Sequence, residues 1–156
     1  MKIGQWEKAI AAGERSIELE PNGALYHRLF GQTLCTAGKI DEGIAQLNQG
    51  IRLNPFPAYW YYLHLGRCYL LKGQYDDALT AYKKALHRAP DALYNHTSLA
   101  VIYALLDRQE EAGAAVKKAL EIDPSFSLAR AKRWPFKNEA DLKLFVDAVR
   151  KAGFPE

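Results

Sequence analysis

Residues 73–90 read GQYDDALTAYKKALHRAP, and the stretch has three echoes: GQWEKAIAAGERSIELEP at 4–21, GKIDEGIAQLNQGIRLNP at 38–55 and DRQEEAGAAVKKALEIDP at 107–124. The closing prolines, Pro21, Pro55, Pro90 and Pro124, stand 34, 35 and 34 residues apart. Self-similarity at such a period marks stacked supersecondary units, none of which buries its apolar face alone. Within the quoted stretch Ala78, Tyr82, Ala85 and Leu86 fall at three- and four-residue steps, which predicts a helix. Leu63, Gly66, Tyr69 and Leu70, just upstream, predict a second helix by the same spacing. Each proline ends its helix, because it cannot donate and disfavours helix in the residue before it. Gly38 and Gly73 stand where the first helix must stop, and Asp107 holds that place in the last copy as a poorer choice. No stretch alternates long enough to argue for a strand.

The period and its residue pattern resemble tetratricopeptide repeats, two antiparallel helices per unit. The family's small residue on the first helix is matched by Gly31, Gly66 and Ala100. Those on the second helix are matched by Ala9, Gly43, Ala78 and Ala112, and by Ser16, Gly50, Ala85 and Ala119. The family's tryptophan is replaced by His27, Tyr62 and His96. The resemblance implies an all-α fold, a right-handed superhelix of antiparallel helix pairs with a C-terminal capping helix. Its divisions are a half repeat at 4–21, full repeats at 24–57, 59–92 and 93–126, and a capping region at 127–156. Helices pack at about 8–10 Å only where small residues meet, so Gly31, Gly66 and Ala100 are expected to face Ala78 and its equivalents across each hairpin.

The two ends depart from the repeat. Gly4–Leu19 reads as a second helix without a first, so Ile3, Trp6, Ile10 and Ile17 are expected to lack a neighbour. Either the chain is the tail end of a longer protein, or another copy covers that face. Leu128–Trp134 begins a further helix that Pro135 is expected to stop. Asn138 is expected to cap a final helix whose stripe is Leu142, Phe145, Val146 and Val149. That helix seals the last repeat, or it binds a partner or a second copy. Residues 134–156 and 54–69 are similar to repeat regions that follow class III adenylate/guanylate cyclase domains in bacterial proteins. This implies the regulatory part of a larger bacterial signalling protein, without cyclase activity of its own.

In the family the first helices line a concave groove. The resemblance assigns to it Leu25, Arg28 and Gln32 from the first full repeat, Trp60, Leu63, His64 and Arg67 from the next, and Tyr94, Thr97 and Val101 from the third. Arg28 and Arg67 are placed to pair with acidic side chains or a terminal carboxylate, and Trp60 and Tyr94 to anchor an extended or helical peptide. The alternative is that Trp60 and Leu63 pack against the next repeat or the C-terminal helix. Some members clamp chaperone C-termini with two lysines, two asparagines and an arginine. Arg28, Gln32, His64, Tyr94 and Ser98 hold those places here, so that ligand is not predicted.

The rest of the sequence narrows the function classes. A net charge of +3 is too small for a nucleic-acid footprint by itself. The basic stretch Arg130–Lys137, with Trp134 and Phe136, is read as a solvated connector, the alternative being a single-strand contact. His27, His64, His87 and His96 lack metal-ligand spacing, and Cys35 and Cys68 fit small apolar groups better than nucleophiles. No catalytic residue, cofactor or metal is predicted. No apolar run reaches the length of a membrane span, Met1–Glu20 do not read as a secretory signal, and two cysteines make no disulfide framework. The expectation is a soluble, cytoplasmic scaffold for a protein or peptide partner, with no role for nucleic acid or membrane. Self-association through the N-terminal face is the alternative, and an unrecognised enzyme a weaker one.

Overall fold

A computed structural model describes the chain from Ile3 to Glu156, with side chains from Gln5 onward. Its helices are α1 (Ile3–Leu19), α2 (Ala24–Thr36), α3 (Ile40–Leu53), α4 (Tyr59–Lys72), α5 (Tyr75–Arg88), α6 (Leu93–Leu105), α7 (Gln109–Ile122), α8 (Leu128–Ala131) and α9 (Glu139–Ala152). There is no strand among the described residues. The pairs α2–α3, α4–α5 and α6–α7 form antiparallel hairpins, and α3 packs on α4 and α5 on α6. The first helices α2, α4 and α6 also touch in succession and so share one face of the stack.

The small residues set how closely the helices cross. A Cβ on Gly31 would lie 2.7 Å from Leu47 Cγ, 2.9 Å from the Gly43 carbonyl oxygen and 3.0 Å from the Leu47 amide nitrogen. The first hairpin therefore closes main chain against main chain. At Gly66 the neighbour differs from expectation. The ring of Tyr82, not Ala78, fills the notch, 2.5 Å from where a Cβ would be. A small residue on one helix has been used to seat a large one on the other.

The turns follow the same economy. Gly38 and Gly73 end α2 and α4 at φ +85° and +79°, where a glycine is unstrained. Asp107 takes that place after α6 at φ +58°, the one positive φ outside glycine among the described residues. Its carboxylate accepts a hydrogen bond from Lys151 Nζ at 2.6 Å, which ties the turn to the end of α9. The second helices start on acidic pairs, Asp41–Glu42, Asp76–Asp77 and Glu110–Glu111, which suit the positive end of the helix dipole.

The histidines at the family's tryptophan place fasten the repeats. His27 Nε2 donates to the Pro21 carbonyl oxygen at 2.8 Å, and His96 Nε2 to that of Pro90 at 2.6 Å. Each first helix is thereby fixed to the turn that precedes it. Buried Asn95 adds bonds to the Ala85 and Ala89 carbonyl oxygens at 3.1 and 2.8 Å.

The two ends differ from the sequence expectations at Trp6, at the length of α8 and at the Asn138 side chain. Trp6 is buried, with 4% of its surface exposed, and α1 packs on α2. Ile10 and Ile17 are half-buried, and the Ile3 side chain lies outside the described residues. α8 lasts one turn and ends four residues before Pro135. Asn138 adopts the extended backbone of a cap, but its side chain caps no amide and donates to the Asp141 carboxylate at 3.1 Å. α9 packs against α6 and α7 and buries Phe145, Val146 and Val149. It closes the main core, which runs from Leu63 and Tyr82 through Ala100 and Ile102 to Phe126, Leu128 and Phe154. A second cluster under the first two hairpins contains Cys35, Leu47, Leu65, Cys68 and Ala81.

Candidate functional site

The concave face is not open along its length. After α8 the chain turns back across it. The Lys137 amide donates to the Thr36 carbonyl oxygen at 2.9 Å, so the C-terminal segment reaches from the third repeat to the end of α2. Asn138 lies against Gly38, where a Cβ would meet its Nδ2 at 2.6 Å. The Leu128 amide donates to the Pro155 carbonyl oxygen at 2.8 Å, closing the segment on itself.

The aromatic residues of this segment face inward. The Trp134 ring meets Tyr94 edge-on with centroids 5.5 Å apart, and lies 5.4 Å from Phe145. Phe136 lies 5.8 Å from the same Phe145 ring. Arg130 pairs with Asp123 at 2.5 Å and donates to the Tyr94 hydroxyl at 3.2 Å. The stretch read as a solvated connector is thus a packed strap, with its two aromatic rings committed to the fold.

The strap divides the expected groove residues. Thr97 and Val101 are buried, Val101 in the main core that also holds Phe145 and Val149. Leu25 stands apart at the N-terminal edge, 52% exposed. The other seven, Arg28, Gln32, Trp60, Leu63, His64, Arg67 and Tyr94, line one pocket of about 440 Å³. Trp134 and Pro135 form its far wall. That wall escaped sequence reasoning, because no groove position points to residues outside the repeat. The Trp-Pro pair amid basic residues was its one visible sign.

The floor of the pocket is cationic. Arg67 is 6% exposed, and its guanidinium lies 4.5 Å from the centre of the Trp134 ring. It has no carboxylate partner among the described residues. A buried charge without a counter-ion is costly, and a cation over an indole recovers only about 2 kcal/mol of that cost. Arg28, half-buried, lies 5.9 Å from the Tyr61 ring and reaches Gln32 Oε1 at 3.4 Å. Burial pulls its pKa below the usual arginine value. His64 is also 6% exposed, and its Nδ1 has no hydrogen-bond partner. Burial holds its pKa well below the ordinary histidine value, and Arg67 and Arg28 push it the same way. The imidazole is therefore neutral at pH 7. Trp60 stacks over His64 with centroids 6.2 Å apart and forms the outer rim beside Tyr94.

The remaining chemistry is sparse. Cys35 and Cys68 are both free and buried, and burial next to Cys35 pushes the Cys68 thiol well up, away from the nucleophilic thiolate. The described residues hold no group of three or more potential metal ligands. No helix among them is long and apolar enough to cross a membrane.

Stacked hairpins whose first helices share a face define a helical-repeat solenoid. Residues 28–92 and 63–125 each match the profile of the tetratricopeptide repeat family, and the chain belongs to that family. Among curated proteins it is similar to BBSome complex member BBS4 from Bos taurus, 31% identical over 87 residues. That match takes in 56% of this chain but only 16% of the relative's length. Solved structures share the fold. PilW, described as a widely conserved type IV pilus biogenesis factor, superposes with a TM-score of 0.73 at 19% identity, covering 94% of this chain and 66% of PilW. MamA gives 0.71 at 19% identity, covering 97% of this chain and 93% of MamA.

Proposed function

We propose that the protein is an interaction scaffold that holds a segment of a partner protein against its concave face, at the pocket between α2, α4, α6 and the strap. The observation that carries this reading is the rim. Trp60 is 37% exposed beside Tyr94, above two arginines that have no acidic partner among the described residues. An aromatic anchor with charges left over is what a binding hot spot needs. Buried thiols, and His27 and His96 bound to the turns, favour a scaffold over a catalyst. Free cysteines also suit a reducing cytoplasm. The likeness of residues 134–156 and 54–69 to repeats that follow bacterial cyclase domains supports a place in a larger signalling protein. The test is a triple variant, Trp60→Ala, Arg67→Gln and Tyr94→Ala, compared with the parent in pull-downs from the native cell. Partners should be lost while the far-ultraviolet circular dichroism is kept. Unchanged partners with an intact fold would remove the pocket from consideration.

A second reading rests on a different surface. Leu25, Tyr26 and Leu29 are exposed on α2, and Tyr26 shares a shallow cleft with exposed Leu19 at the end of α1. These apolar side chains, at the end of the stack, are where a second copy would dock. Light scattering over a wide concentration range decides it, since a monomer at every concentration sinks the idea.

A further inference from the structure

The strap governs how the concave face is reached. We propose that residues 132–138 are an internal ligand of that face, and that a partner's aromatic side chain enters by displacing Trp134 from Arg67. The proposal rests on the groove reading above and adds its regulation. Between α8 and α9 the chain forms no helix and lies against all three first helices. The Lys137 amide donates to the Thr36 carbonyl oxygen on α2, and the Trp134 ring covers Arg67 on α4 and meets Tyr94 on α6. These are the contacts of a docked segment, with one ring as its anchor. The hold is light. The Lys137–Thr36 bond is the one main-chain bond between the strap and the repeats among the described residues. Lys132, Arg133, Pro135, Lys137 and Asn138 are exposed, and Trp134 and Phe136 are only half-buried. The indole covers the Arg67 charge but offers its N–H groups no acceptor. Both ends of the strap are seated without it. The Leu128 amide holds α8 to the Pro155 carbonyl oxygen and Arg130 holds it to Asp123, while α9 buries Phe145, Val146 and Val149. The strap is therefore able to lift as a loop while the core stays closed. Lifting it bares the face of Phe145 that Trp134 and Phe136 cover, which keeps the closed state the resting one. A partner then binds the open fraction alone, and its apparent affinity is reduced by that fraction.

The strap itself is the probe. A fluorescent, C-terminally amidated peptide of residues 132–138, KRWPFKN, is titrated against the full chain. It is also titrated against the double variant Trp134→Ala and Lys137→Pro, which removes the ring and the amide donor. The variant should bind the peptide at least tenfold tighter than the parent does. A peptide with alanine in place of its tryptophan should bind the variant at least tenfold more weakly. Equal binding by parent and variant overturns the proposal, as does a tryptophan-free peptide that binds as well. No binding up to millimolar concentration by a variant that keeps the parent's circular dichroism also overturns it. Should the variant misfold, hydrogen exchange on the unmodified chain decides. The Lys137 amide should exchange at least tenfold faster than the interior amides of α9, through an opening confined to the strap. Exchange of both at one rate means that the strap opens only when the core does, and the proposal fails. Loss of partners from the triple variant is a separate result that holds even with a fixed strap, so failure here leaves the groove reading standing.

Discussion

Two glycines in helix interiors should respond to alanine with opposite signs. In an open site, glycine to alanine stabilises a helix by about 1 kcal/mol, because alanine loses less backbone freedom. Gly113 on α7 is such a site, with nothing within 4 Å of an added Cβ. Gly113→Ala should therefore raise stability by about 0.5–1 kcal/mol. Gly31 gains the same propensity but meets Leu47 Cγ at 2.7 Å, the Gly43 carbonyl oxygen at 2.9 Å and the Leu47 amide nitrogen at 3.0 Å. Two of those three atoms are main chain and cannot rotate away. Overpacking of this kind costs about 1–3 kcal/mol, here toward the upper end, so the net loss is about 1–2 kcal/mol. The gap between the variants is then about 2 kcal/mol, or roughly 4–8 °C in melting temperature for a chain of this size. Urea denaturation of both variants beside the parent measures it. Because α2 carries Arg28 and Gln32 into the pocket, ligand binding should fall in Gly31→Ala and stay level in Gly113→Ala. If Gly31→Ala matches or exceeds the parent in stability, the closed main-chain crossing is wrong.

Two further predictions test the strap and the pocket floor. The neutral His64 has a folded pKa lowered by burial, then by Arg67 and Arg28, so the unfolded chain takes up its proton first as the pH falls. Its contribution is full above the unfolded value of about 6.5 and declines from there through the lower folded pKa, with a slope of at most about 1.4 kcal/mol per pH unit. The urea midpoint should drop more between pH 7 and pH 5 for the parent than for His64→Gln, and parallel pH profiles would contradict the buried neutral imidazole. Trp134→Ala removes the contacts with Arg67, Tyr94 and Phe145 and should cost about 2–4 kcal/mol, whereas Trp60→Ala, at the exposed rim, should cost under about 1 kcal/mol. Equal losses in urea denaturation would mean that the strap does not pack on the groove.

The sequence was informative where the same constraint acts several times. A proline, a helix stop and a small residue at each crossing recur because each hairpin solves the same packing problem. That is why α2 to α7 are legible in the sequence, and why seven of the ten groove positions meet in one pocket. What occurs once leaves no period. The notch at Gly66 takes the Tyr82 ring where that at Gly31 takes the smaller Leu47 and the Gly43 main chain, and only the three-dimensional packing tells how each is filled. The strap is set by contacts between residues far apart in sequence, Lys137 with Thr36 and Trp134 with Arg67. Its basic composition reads as solvent-exposed, yet its rings turn inward because Phe145 on α9 offers both of them a partner. This singular element changes what the repeated ones can do. Without Trp134 and Pro135 the arginines would line an open groove, screened by water and suited to many partners. With them Arg67 is held where little water reaches it, and its charge is less screened than it would be in an open groove.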